Sequence, residues 1–264
     1  MNELMKVTDK DDEKYEQYEE LLVRRDQLFK DAGSYMTGYT LEFGEMINAN
    51  FELKVECIKK KKTISYCRRR INRGLKIDTL HMQEEIEAEM KLYYSQLEDM
   101  SRELTDAKNA ETISEYRLVR AKKIYRRLAK KLHPDINPGT KKDESLRELW
   151  QRITEAYRKS DIDELEDLEA LTKKTIEDMG SEKFEIKIKD IDKRIERVER
   201  QINEILTTEP YIYGELLRDE TKVKNMKESL QSEHENYEQY LEILTKDLEE
   251  ILREGGATLI WTMN

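Results

Sequence analysis

Apolar residues recur every three or four positions along most of the chain, and this spacing predicts amphipathic α-helices. Residues 15–29 place two tyrosines, a leucine and a phenylalanine (Tyr15, Tyr18, Leu22 and Phe29) on one helical face. Gly33 and Gly38 then bracket small polar residues, which predicts a break in the helix. A second helix is expected over about 41–72, with Gly74 as its C-terminal cap.

The next helix is expected to begin near Asp78. Its apolar positions over 86–107 alternate in steps of four and three. This helix and the one before it are expected to form an antiparallel hairpin. The pattern changes phase near residues 106–112, which predicts another break.

The strongest periodicity lies in the last third of the chain. Over residues 184–205 every apolar position fits the a/d seam of a coiled coil, and a second seam covers 223–251. Pro210 interrupts the helix between them. We expect the two seams to pair as an antiparallel hairpin. The apolar tail GGATLIWTMN (255–264) is expected to form a short strand or a docking peptide.

These elements predict an all-α, elongated protein in three consecutive parts, in which a central helical module is flanked by helical hairpins and coiled coils. The parts are N-terminal helices (1–77), a long helix that leads into the central module (78–180), and a coiled-coil hairpin with a short tail (181–264). The composition supports long helices, since 40% of residues are charged and only nine are glycine and three proline.

Composition also limits the class of protein. The sequence has no apolar run long enough to span a membrane and no signal-peptide pattern at its start. Its two cysteines, Cys57 and Cys67, have no metal-ligand spacing and fit a reducing compartment. We therefore expect a cytoplasmic protein with no metal or cofactor. The net charge of −10 argues against a general nucleic-acid binder but leaves room for a local basic site.

Residues 117–132 predict a helix whose exposed face carries only cations. Eight Lys and Arg side chains occur there without an acid among them, although like charges four residues apart repel. This pattern predicts a docking face for an acidic partner. The cations on this face include Lys122, Lys123, Arg126, Arg127, Lys130 and Lys131.

The basic helix must end before Pro134, which lacks an amide hydrogen and disfavours helix at the residue before it. Residues 137–139, Asn-Pro-Gly, suit a turn. We therefore expect His133 and Asp135 to be exposed at a rigid corner. Helix resumes over about 144–161.

The stretch YRRLAKKLHPDINPG, followed by LWQRITEAY, resembles the J-domain of DnaJ-type co-chaperones over about residues 120–160. The resemblance implies a helical hairpin and a DnaK-type chaperone ATPase as partner. It also implies that His133, Pro134 and Asp135 form the corner that stimulates ATP hydrolysis, and that the six cations form the docking face. The implied core comprises Tyr125, Leu128, Ala129, Leu132, Trp150, Ile153 and Tyr157.

The sequence departs from the family in three respects, namely the stretch before the motif, the acidic stretch after it, and the absence of two accessory regions. The family's first helix is not visible upstream of Ala121, so the preceding long helix (78–107) is expected to pack in its place. The Gly/Phe-rich linker and the repeated Cys-x-x-Cys module are missing, which predicts a specialised member. A short acidic helix follows over about 161–174, and one alternative is that it pairs with the basic helix and masks the docking face.

The leading expectation is a non-enzymatic co-chaperone that recruits a DnaK-type chaperone to an unknown client held by the coiled coils. One alternative is a coiled-coil scaffold, self-associated or not, with a purely structural J-like fold. Another is a nucleic-acid-associated protein that uses the second basic run (57–73). The simpler, structural interpretation of that run is that its cations pair with the acids at 84–89 of the neighbouring helix. His133 and Asp135 have no nucleophile beside them in the sequence, so we expect no catalytic residue.

Overall fold

The computed structural model describes residues 2–110, 114–179 and 190–254, with side chains throughout this part except at 2–12, 178 and 179. All its regular elements are α-helices, which confirms the all-α class. The helices are α1 (Asn2–Asn72), α2 (Thr79–Asn109), α3 (Glu115–Leu132), α4 (Pro138–Lys142), α5 (Glu144–Lys159), α6 (Ile162–Met179), α7 (Ile191–Thr207), α8 (Tyr213–Arg218) and α9 (Glu220–Glu254).

The chain divides into two compact units, each discontinuous in sequence. Unit 1 comprises Met1–Tyr35 and Glu111–Gly214, and unit 2 comprises Met36–Ala110 and Glu215–Asn264. The sequence predicted three consecutive parts instead. The difference arises because α1 supplies its first half to one unit and its second half to the other.

Helix α1 is continuous over 71 residues, so the predicted break at Gly33 and Gly38 is wrong. A glycine inside a helix costs only about 1 kcal/mol relative to alanine, which packing readily offsets. Gly38 also permits a close approach, since a Cβ there would lie 3.0 Å from Leu217 Cδ1. The predicted end of the helix is correct: α1 stops at Asn72, and Gly74 follows with a φ of +67°.

In unit 2, α2 runs antiparallel to the second half of α1, as expected for the hairpin. Asp78 caps α2 by accepting a hydrogen bond from the His81 backbone N–H at 3.1 Å. Salt bridges mark the two ends of the pair, with Lys108 against Glu45 and Arg69 against Glu85. Residues of α9 complete the apolar core of this unit, namely Leu244, Leu248, Ile251 and Leu252.

In unit 1, α3, α5 and α6 form one apolar core, which Val23 of α1 joins. Helix α7 packs on a different face of α1, where Ile195, Val198, Ile202 and Ile205 meet Tyr18, Leu22 and Leu28. The predicted pairing of the seams at 184–205 and 223–251 is therefore wrong, because each seam is buried on a different part of α1. Phe184, Ile188 and the tail at 255–264 lie outside the described residues.

The expectation that the long helix at 78–107 packs on the central module is wrong. The first half of α1, rather than α2, packs on the module formed by α3 and α5. Tyr157 donates a hydrogen bond to Gln27, and Lys30 donates to the Tyr157 carbonyl at 2.7 Å.

Across the described residues, no helix has both the length and the apolar character needed to cross a bilayer.

Candidate docking surface and His-Pro-Asp corner

Helix α3 presents the predicted basic face and ends where the sequence requires. Ser114 caps its start by accepting from the Arg117 backbone N–H at 3.4 Å. His133 is the last residue to donate into the helix, and its own backbone lies outside the α region, with φ −57° and ψ 125°. The residue after it is Pro134, which has no amide hydrogen to continue the ladder.

The residues predicted as the core of the central module pack together between α3 and α5. Six of these seven residues are buried in the unit 1 core, and Trp150 packs against them partly buried. The aromatic rings of Tyr125 and Tyr157 stack with centroids 3.9 Å apart. This packing holds α3 against α5 and fixes the direction in which the cations of α3 point.

The His-Pro-Asp corner (residues 133–135) differs from the expectation of an exposed corner. His133 is only 5% exposed, while Pro134 and Asp135 are half-buried. The imidazole lies edge-on to the Trp150 ring at 5.1 Å. The loop also differs from the predicted turn, because Asn137 caps α4 and Pro138 occupies the first position of that helix.

Two adjacent residues of α1, Arg25 and Asp26, cover the corner. Asp26 Oδ2 lies 3.6 Å from His133 Nε2 and accepts a hydrogen bond from the Tyr125 hydroxyl at 2.7 Å. Arg25 pairs with Asp26 at 2.7 Å and lies 4.0 Å from Asp135. The side chains of Arg25 and Asp26 are 15% and 16% exposed, so this charged cluster is largely shielded from solvent.

The corner has a defined protonation pattern. The Asp135 backbone N–H donates to His133 Nδ1 at 3.0 Å, which leaves the imidazole proton on Nε2. Burial lowers the pKa of His133 and outweighs the opposing effect of Asp26 and Asp135. Burial acts to raise the pKa of Asp135, but the hydrogen bond from Lys141 and the nearby positive charges bring it below its usual value. Near pH 7, His133 is therefore neutral and Asp135 is ionised.

All six predicted docking cations of α3 are exposed. Acids flank them on two sides. From α6, Glu169 accepts two hydrogen bonds from Arg127, one of them at 2.7 Å, and Glu166 pairs with Arg120. From α1, the acids Glu19 and Glu20 pair with Lys130 and Arg126. Lys122, Lys123 and Lys131 have no ion pair within the described part of the chain.

The contacts from α6 agree with the alternative in which the acidic helix pairs with the basic helix. The contacts from α1 were not anticipated. Glu19, Glu20, Arg25 and Asp26 lie about a hundred residues before the corner, and nothing in the local pattern links the two stretches. One signal was available: Leu21, Leu22 and Val23 are consecutive apolar residues, which indicates a helix buried on more than one side.

The second basic run (57–73) is partly paired with the acids of α2, as its structural interpretation predicted. Lys62 pairs with Glu89 and Arg69 with Glu85, both on α2. Tyr66, the aromatic residue within the run, is 3% exposed and donates to the Asp78 carbonyl at 3.3 Å, so its ring offers no platform for base stacking. Cys57 and Cys67 are buried, as expected of small core residues.

Comparison of the chain with models of protein families, with curated proteins and with solved structures finds no match.

Proposed function

We propose that the chain is a J-domain-type co-chaperone that docks a DnaK-type chaperone through α3 and the His-Pro-Asp corner and stimulates its ATPase. The helices outside the module would hold a client or another partner. The proposal assigns the chain no catalytic chemistry of its own. Its surroundings would be cytoplasmic, where DnaK-type chaperones act.

One observation carries this proposal. The cations at 122, 123, 126, 127, 130 and 131 are all exposed on one helix, and that helix leads directly into residues 133–135. Exposed ion pairs contribute at most about 1 kcal/mol, so pairs on this face such as Arg126 with Glu20 can exchange for the acids of a partner. A core in which Trp150 and Tyr157 pack against Tyr125 supports the resemblance that names that partner.

A second candidate function is a scaffold in which the J-like fold is purely structural. The burial of His133 favours it, because a residue that is 5% exposed contributes to packing rather than to docking. The two candidates make opposite predictions for the effect of the protein on a DnaK-type ATPase.

The test is single-turnover ATP hydrolysis by a DnaK-type chaperone with a saturating amount of this protein. We expect the wild-type protein to accelerate hydrolysis, and His133→Gln and Asp135→Asn to lose the effect. Because His133 is buried, Asp135→Asn is the cleaner variant, and thermal melting checks that both remain folded. If saturating wild-type protein gives no acceleration where a full DnaJ protein does, the co-chaperone proposal is wrong and the scaffold is favoured.

A further inference from the structure

The segment Glu19–Asp26 of α1, called here the covering segment, carries charges opposite to those of the docking surface at both ends. Glu19 pairs with Lys130 at 2.9 Å, and Glu20 pairs with Arg126. Six residues after Glu19, near the other end of the segment, Arg25 lies 4.0 Å from Asp135, the acid of the corner. Acids thus face the basic helix and a guanidinium faces the carboxylate, as a partner for this surface would require.

We propose that the covering segment is an autoinhibitory element that competes with the DnaK-type chaperone for the docking surface. The inference rests on the proposed function, because it concerns the regulation of the same surface. The segment and the chaperone would use the same charged groups, so only one of them can occupy the corner at a time. The protein would bind its partner in the fraction of molecules in which Arg25 has left Asp135.

The contacts differ in how easily a partner can replace them. Glu20 and Arg126 are 64% and 50% exposed, so acids of a partner can displace Glu20 without moving α1. Arg25 is 15% exposed, and Asp26 on the same helix binds Tyr125. A partner that takes over Asp135 therefore has to displace Arg25 and also Lys141, which donates to this carboxylate at 2.8 Å, whereas Lys122 and Lys123 are exposed for a first encounter.

The experiment compares the wild-type protein with Glu19→Gln/Glu20→Gln/Arg25→Gln, in which the covering segment loses its three contacting charges. Single-turnover ATP hydrolysis is measured over a range of protein concentrations. We expect the variant to reach half-maximal stimulation at an about tenfold lower concentration, because the competing contacts no longer reduce the binding-competent fraction. Because Arg25→Gln also removes the ion-pair partner of Asp26, fluorescence and thermal melting are used to check that unit 1 of the variant stays folded.

A matched control is available on the same helix. Glu13, Glu16 and Arg24 are exposed and have no ion pair within the described residues. The variant Glu13→Gln/Glu16→Gln/Arg24→Gln removes two acids and one arginine, the same change in charge as in the triple variant of the covering segment. This control is expected to behave as the wild-type protein. A second arm adds Asp135→Asn to the triple variant of the covering segment, and this addition is expected to abolish stimulation.

The outcomes separate the inference from the function on which it rests. If the triple variant and the wild-type protein stimulate with equal half-maximal concentrations, the autoinhibitory role is wrong and the co-chaperone function stands. If the control gains as much as the triple variant, the gain reflects net charge, which also overturns the inference. If neither protein stimulates at saturation, the proposed function itself is wrong.

Discussion

The two acid-free basic runs, at 117–132 in α3 and at 57–73 at the end of α1, have different surroundings. The acids that pair with the run in α1 lie on α2, the next helix in the chain. Lys62 pairs with Glu89, and Arg69 pairs with Glu85. In α3, acids approach from two helices, and the run ends at a buried polar corner. A basic run alone therefore does not identify a docking face. The run in α3 differs from the run in α1 because it leads directly into the His-Pro-Asp corner.

A second contrast concerns the polar groups buried in each unit. In unit 2, Asn50 is 3% exposed and donates to the Leu230 carbonyl at 2.8 Å, with His234 at 2.8 Å from its amide oxygen. In unit 1 the corresponding cluster contains the ionic pair Arg25 and Asp26. Breaking a shielded ion pair leaves an uncompensated charge, so the corner should be the more sensitive of the two.

The largest expected effect is at Asp26. Asp26→Ala removes the partner of Arg25 and the acceptor for the Tyr125 hydroxyl, and we expect it to lower the free energy of unfolding of unit 1 by about 3 kcal/mol. Trp150 reports on this unit by fluorescence during denaturation, in a Trp261→Phe background. Asp26→Asn, which keeps an acceptor for Tyr125, should lose less. Equal stability of Asp26→Ala and wild type would show that the cluster contributes nothing.

A smaller loss is expected at Asn50 in unit 2. Asn50→Leu leaves the Leu230 carbonyl and His234 without this partner, which should cost about 1–2 kcal/mol. Amide hydrogen exchange of α9 measures the change. A loss larger than that of Asp26→Ala would reverse the contrast between the two clusters.

The stability of unit 1 should depend on pH through His133. Its folded-state pKa is lowered, so the unfolded chain binds a proton first as the pH falls through about 6.5. The free energy of unfolding should therefore decrease below that pH, by at most about 1.4 kcal/mol per pH unit. The charged groups near the ring are Arg25, Asp26, Asp135 and Lys141.

The control for this prediction is His133→Gln, which should remove that part of the pH dependence between pH 7 and 5. Denaturation at a series of pH values, monitored by Trp150, supplies the measurement. An unchanged slope in His133→Gln would assign the dependence to other groups.

The smallest effect is expected at the pairs between α1 and α2. Glu85→Gln and Glu89→Gln should each leave the free energy of unfolding nearly unchanged, since these side chains are 30% and 47% exposed and solvent screens their ion pairs. Chemical denaturation of both variants checks this. A loss comparable to that of Asp26→Ala would mean that the two basic runs are held in the same way.

Much of the helical architecture could be predicted because it depends on local spacing. The end of α1 at Asn72, the cap of α2 at Asp78 and the core residues of α3 and α5 follow from periodicity, capping preferences and the family resemblance. The break at Gly33 was predicted wrongly because a glycine costs little beside the packing of a long helix.

Partner choice between helices could not be predicted in the same way. A heptad pattern shows which face of α7 is apolar but not which surface covers it, so its seam was assigned to α9 rather than to α1. The packing of Arg25 and Asp26 on the His-Pro-Asp corner could not be predicted for the same reason. Arg25 and His133 are 108 residues apart, and only the fold brings them within 3.4 Å.

The most direct test of the central claim is the affinity of an ATP-bound DnaK-type chaperone for three forms of the protein at one fixed ionic strength. These are the wild type, Glu19→Gln/Glu20→Gln/Arg25→Gln, and the same triple variant with Asp135→Asn. We predict about tenfold tighter binding by the triple variant, and loss of that gain when Asp135 is replaced. Equal affinities for all three would contradict both the docking surface and the segment that covers it.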